Sequence, residues 1–218
     1  SESRGLGDVY KRQVTDSSGN SNNGTNNGAT QTAAGYDGTV NGAYSFDGTN
    51  DYISISNPSQ SLTGEISFSL WFRNTSTDVT ENLEGSVAAD LHDTILSKGI
   101  DKEFDFQYWY DNVTSNSQQI RFHQGGFTVA NFDFPVATYP INTWYHLVIV
   151  RSGSTGNWTV KMYIDSVLKH TTSSISTNPV SSTNPILIGQ RNGGGIHWTG
   201  FFDDIRIYNT TLTSDQIN

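Results

Sequence analysis

The sequence predicts an all-β fold, a two-sheet antiparallel β-sandwich. Three observations carry that prediction. Short runs with an apolar residue at every second position recur along the chain, clusters of Gly, Asn, Ser and Thr separate them, and helical periodicity is almost absent from the 218 residues. In "ISFSLWF" the residues Ile66, Phe68, Leu70 and Phe72 share one face; in "WTVKMYID" Trp158, Val160, Met162 and Ile164 do so, with Lys161 opposite. A strand with a single apolar face buries it best against a second sheet.

Taken in order, the opening "SESRGLGDVYKRQ" (1–13) is charged and lacks alternation, so it reads as a flexible lead or a non-native remnant, and 14–218 as one domain. "DSSGNSNNGTNNGA" (16–29) has the composition of an exposed loop or linker. Strands follow as "AYSFDG", "DYISIS", "ISFSLWF", "FDFQYWY", "QIRFH", "WYHLVIVR", "WTVKMYID", "PILIGQ" and "DDIRIYN", with turn residues between them. The stretch 74–93 is polar and acidic and reads as an excursion from the sandwich. At the end, "LTSDQIN" can form a short helical turn with Thr213 or Ser214 as its cap.

A net charge of −9 disfavours phosphate backbones and anionic membrane surfaces, and leaves metal cations and neutral ligands as the expected partners. The chain has no cysteine, which removes disulfides and thiolate metal sites and leaves the redox compartment open. No apolar run approaches the roughly 20 residues of a membrane span. The first residue is Ser1 rather than Met, so the chain reads as a piece of a longer protein.

One stretch resists this simple pattern. In "GFFDDIRIYN", regular alternation puts Phe201, Asp203, Ile205 and Ile207 on one face and Phe202, Asp204, Arg206 and Tyr208 on the other. If the isoleucine face is the core, Asp203 leaves water, at a cost of several kcal/mol unless a cation or strong donors meet it.

From about Val14 to Asn218 the chain resembles the laminin G-like group of the concanavalin A-like lectin/glucanase superfamily. The resemblance rests on an ordered set: "DSSGNSNNGT", "GAYSFDGTNDYISI", "ISFSLWF", "TILSKG", "WYHLVIVR", "VKMYIDSVL", "PILIGQ" and "FFDDIRIYNTTLTSDQI". It implies a concanavalin A-like jelly roll, a fold that hosts lectins, adhesion modules, glycanases and lyases. It also implies a structural calcium ion (Ca2+) near the first loop and the last strand. Calcium takes oxygen ligands in irregular geometry. Asp16, Asn23, Asp47 and Asp203 are the expected set, with backbone carbonyls completing the shell and Asn20 in the same first loop. The alternative needs no metal: Asp47 and Asp203 accept backbone amide hydrogen bonds, or Asp203 pairs with Arg206 or Arg191.

No catalytic residues are assigned. A retaining glycanase needs two carboxylates about 5 Å apart across the sugar, and the Glu-x-Asp-x-x-Glu run of the glucanase branch is absent. Only Glu103 has acidic neighbours at strand spacing, Asp101 and Asp105, and "GIDKEFDF" reads as a turn entering a strand. The lyase branch would need an Arg, a Gln-x-His and a Tyr on one cleft. "QIRFH" puts Gln119, Arg121 and His123 on one face, but Arg121 stands where the His is expected.

Sugars are bound by aromatic surfaces, with amides, carboxylates and arginines reading hydroxyls. Two places carry that chemistry: the loop "QRNGGGIHW", with Arg191, Asn192, His197 and Trp198, and the face bearing Gln107, Trp109, Arg121 and His123 if "FDFQYWY" and "QIRFH" are neighbours. The bland alternatives are that Trp198 covers the end of the core, His197 is solvated and Trp109 packs under a loop. The expected function is a non-catalytic recognition module for glycans or another cell-surface ligand, joined to other domains of a larger secreted, surface or virion protein. A structural spacer and a polysaccharide-degrading hydrolase or lyase are the alternatives.

Overall fold

The computed structural model describes residues 13–56, 61–76, 91–111 and 117–217. Residues 1–12 of the charged lead and 77–90 of the excursion lie outside them. Fifteen strands run in chain order as β1 (Gln13–Val14), β2 (Gly24–Asn27), β3 (Thr30–Ala33), β4 (Ala43–Asp47), β5 (Tyr52–Ile55), β6 (Ile66–Asn74), β7 (Leu91–Lys98), β8 (Phe104–Asp111), β9 (Ser117–Gln124), β10 (Phe127–Asp133), β11 (Tyr145–Ser154), β12 (Asn157–Ile164), β13 (Val167–Ile175), β14 (Ile186–Ile188) and β15 (Thr199–Tyr208). They form two antiparallel sheets. One has eight strands in the order β1-β2-β5-β14-β7-β8-β9-β10, the other seven in the order β13-β12-β11-β6-β15-β4-β3.

The predicted alternation holds where it was clearest. Ile66, Phe68, Leu70 and Phe72 of β6 enter the core, where Phe68 packs edge-on against Phe104 and Phe106 of the opposite sheet at 4.8 and 4.5 Å. The outer face of the seven-stranded sheet is covered over part of its area by the chain's end. There α1 (Ser214–Ile217) lays Ile217, with Leu212, on Val148, Val150 and Tyr163.

Two expectations are corrected. The Asn/Gly run is not simply a loop, because β2 pairs with both β1 and β5; a Cβ on Gly24 would stand 2.8 Å from Ile53 Cγ2. In β15, simple alternation fails at a bulge between Asp203 and Arg206, where Asp204 takes φ +45°. Before the bulge Phe202 points inward and Phe201 and Asp203 outward; after it Ile205 and Ile207 pack against the core. Asp203 therefore does not share the isoleucine face.

Charge does enter the sandwich at one end. Arg151 of β11 is fully buried and donates to the carbonyls of Leu62, Gly64 and Glu103 and to Gln124 Oε1. Burial lowers its pKa to about 10, which leaves it charged at neutral pH. Beside it the Glu103 carboxylate meets Lys98 Nζ at 3.3 Å and accepts from the N–H groups of Leu62 and Ser182. These bonds fix residues 99–103, the turn from β7 to β8. Arg151→Met removes a guanidinium whose carbonyl partners then stay buried without donors. It is expected to cost about 3–5 kcal/mol in urea unfolding, and a loss under about 1 kcal/mol would contradict the clamp.

Candidate functional site

β8 and β9 are neighbours, in the register Asp105↔His123, Gln107↔Arg121 and Trp109↔Gln119. With Phe104, Phe106, Tyr108, Ile120 and Phe122 in the core, the odd-numbered residues of both strands stand on the outer face of the eight-stranded sheet. Trp109 is held there between two planar groups. His92 of β7 stacks on one side at 4.3 Å and 6°, and the Arg121 guanidinium lies 3.8 Å from the ring centroid. Hydrogen bonds extend the row. Trp109 Nε1 donates to Gln107 Oε1 at 2.7 Å, Arg121 donates to Gln119 Oε1 at 2.8 and 2.9 Å, and Gln119 donates to Asp133 Oδ1 at 3.0 Å. The faces of the indole are occupied, so the row offers a ligand ring edges and polar tips rather than a flat platform.

The second predicted place joins the same face. In the loop after β14, Gly193, Gly194 and Gly195 all have positive φ, a turn that suits glycine alone. Arg191 is thereby brought over the sheet, where it donates to Asp105 Oδ2 at 3.0 Å and to Asp101 Oδ2 at 2.6 Å. Gln107 Nε2 adds a second bond to Asp105, at 3.1 Å. Asp105 is fully buried, and burial pushes its carboxyl up to about 8; Arg191 opposes this and the neighbouring Asp101 adds to it. One guanidinium does not compensate two carboxylates, and a carboxyl pushed up to about 8 favours the protonated form of Asp105 at neutral pH. His123 Nδ1 stands 3.6 Å from Asp101 Oδ1, but burial pulls its pKa down to about 4, so at neutral pH the contact is with an uncharged ring and not an ion pair.

Four of the predicted ligand residues, Trp109, Arg121, His123 and Arg191, thus form one connected network with Asp101, Asp105 and His92. The other three do not join it. Asn192 is buried and bonds Ser97 and the Pro185 carbonyl, pinning the glycine loop to β7. Trp198 is a core residue with no exposure, stacked on Phe202 at 4.7 Å. His197 contacts Gln190 at 2.9 Å and faces Asp47 and Asp51.

The residues expected to hold calcium are not brought together. Asp16 and Asn23 share the β1–β2 loop, where Asn23 Oδ1 accepts from Asp16 N–H and Asp16 accepts from Ser18 and Asn22. Asp47 pairs with Thr199 on β15 and turns its Oδ1 to the Thr49 N–H. Asp203 lies four residues further along that strand, about 13 Å away at strand rise, and accepts from the N–H groups of Tyr36 and Asp204 at 3.1 and 2.7 Å. Ligands of one calcium ion lie within about 5 Å of each other, so this set does not fit a single ion. Asp47 and Asp203 both accept backbone amide hydrogen bonds.

Sequence reasoning missed two features. Asp101 and Asp105 read as a turn because only the fold shows Arg191 reaching them. On the opposite sheet, the alternation of "ISFSLWFR" also sends Trp71 and Arg73 outward; Tyr36 stacks on Trp71 at 4.2 Å and 4°.

A laminin G-type family model, described as the concanavalin A-like lectin/glucanases superfamily, matches residues 47–218. No curated protein matches the chain. Among solved structures, domain 4 of AbnA, an extracellular arabinanase from Geobacillus stearothermophilus in complex with arabinotriose, is similar with a TM-score of 0.61 at 18% identity, over 95% of this chain and 92% of that one. The botulinum neurotoxin serotype D ligand binding domain in complex with N-acetylneuraminic acid gives 0.66 at 14%, over 94% of this chain and 46% of that one. A heptameric SAP-like pentraxin from Limulus polyphemus gives 0.55 at 16%, over 80% and 79%. This chain spans about half of the toxin domains it matches. At these identities the likeness is one of fold.

The buried acid makes a pH prediction. Asp105 holds its proton more tightly folded than in the unfolded chain, where a carboxyl titrates near about 3.9. The stability it contributes is full below that pH and is lost as pH rises toward about 8. Asp105→Asn imitates the protonated acid and is expected to lack this decline. Urea midpoints of the two proteins should therefore diverge between mildly acidic and mildly alkaline pH; parallel profiles would contradict the assignment.

Proposed function

The chain belongs to the concanavalin A-like lectin/glucanases superfamily, and from that premise we propose that it is a non-catalytic carbohydrate-recognition module which binds through the outer face of its eight-stranded sheet. The observation that carries this reading is the convergence of Trp109, Arg121, His123 and Arg191, four residues with sugar-binding chemistry, on one connected face. Trp109 and Arg121 are both part-exposed there, which a plain spacer domain does not require. Gln119, Asn131 and Asp133 lie alongside as readers of hydroxyls.

The acidic pair supports binding over hydrolysis. Asp101 and Asp105 share Arg191 and act on each other directly, whereas glycosidase carboxylates stand about 5–10 Å apart with the sugar between them. The company of the fold points the same way. Its neighbours include domain 4 of an extracellular arabinanase with arabinotriose and a neurotoxin ligand binding domain with N-acetylneuraminic acid, each a domain of a larger protein, and we place this module likewise in a larger secreted or surface protein.

A glycan array screened with the wild type and with Trp109→Ala tests this. The wild type is expected to retain a defined glycan class, and the variant to bind it at least tenfold more weakly. A folded wild type that binds no glycan, or a variant that binds as well as the wild type, would overturn the proposal.

A further inference from the structure

The outer face of the seven-stranded sheet carries a cation with no partner. Arg73 of β6 lies in register with Phe201 of β15, and its guanidinium stands 4.1 Å from the Phe201 ring centroid and 5.2 Å from that of Trp144. Trp144 is held by the loop before β11, which Asn142 N–H fixes to the carbonyl of Asn74 at 2.7 Å. Among the described residues no carboxylate pairs with Arg73, and its Nε is buried with no hydrogen-bond acceptor. Every other described arginine is bonded: Arg121 to Gln119, Arg151 to the carbonyl clamp, Arg191 to two aspartates, Arg206 to Asp204.

A guanidinium stripped of part of its water and left without acceptors is costly unless something else supplies them. The two rings, tilted 58° to each other, flank it, and Arg73, Trp144 and Phe201 are all part-exposed. A planar, pre-oriented fork of donors matches a carboxylate, and flanking aromatic surface matches the C–H face of a pyranose. We infer that Arg73, Trp144 and Phe201 form a second glycan subsite, on the sheet opposite to the Trp109 face, which takes a carboxylate-bearing sugar. The net charge of −9 repels anions at long range, so recognition here depends on the local contact.

Calorimetric titration with trigalacturonate and with its methyl ester, which has the same sugar without the charge, tests the inference. The wild type is expected to bind the acid and to bind the ester at least tenfold more weakly. Arg73→Gln should remove that preference and Arg73→Lys should keep it in reduced form, which separates this subsite from the other face. Equal binding of acid and ester by the wild type, no binding of the acid at millimolar concentration, or an unaltered preference in Arg73→Gln would overturn it.

Discussion

The arrangement of the outer face of the eight-stranded sheet depends on a charge kept inside the protein. Arg151 rises from the seven-stranded sheet, passes between the layers and spends its donors on the 62–64 loop, on the Glu103 carbonyl and on Gln124 of the other sheet. Glu103 in turn holds Lys98 and the amides of Leu62 and Ser182. Burying such groups costs several kcal/mol each and is tolerated only when the partners are complete. The consequence is geometric: the turn from β7 to β8 has one position, Asp101 sits in it, and Asp105 follows on β8. Arg191, arriving from the glycine loop, then has two carboxylates to meet.

The two outer faces differ in how they treat charge. On the outer face of the eight-stranded sheet Arg121, Arg191, Asp101 and Asp105 are tied into a row, with His123 uncharged at neutral pH and burial pushing the Asp105 carboxyl up toward its protonated form, so these charges largely offset one another. Such a surface suits neutral hydroxyl-rich ligands, which need donors and acceptors in fixed places rather than net charge. On the seven-stranded sheet the same alternation leaves Arg73 beside aromatic rings, with no counter-ion among the described residues. A sandwich has two outer faces, and here the sequence equips both.

The layers were legible because alternation is a local property: the phase of "ISFSLWF" or "WTVKMYID" needs nothing outside the strand. The phase of β15 was not, since it changes at Asp204, and a bulge is visible only once the partner strand β6 is in place. That single shift moved Asp203 off the core side, where it accepts two backbone amide hydrogen bonds. On the eight-stranded sheet β8 and β9 do pair, which was the condition for Trp109, Arg121 and His123 to share a face; Trp198 and Asn192 were not separable from Arg191, because a loop's composition does not say which side chains it buries. Arg73 was invisible for the same reason in reverse: its distinction is a missing partner.

The five tryptophans report on each region separately: Trp109 on one outer face, Trp71 and Trp144 on the other, Trp158 and Trp198 in the core. Fluorotryptophan labelling, with each 19F signal assigned by single substitution, and titration with a neutral glycan retained on the array test the account most directly. The account predicts that the Trp109 signal shifts with saturation while those of Trp158 and Trp198 stay in place. A titration that moves Trp71 or Trp144 and leaves Trp109 unmoved would contradict recognition by the eight-stranded face.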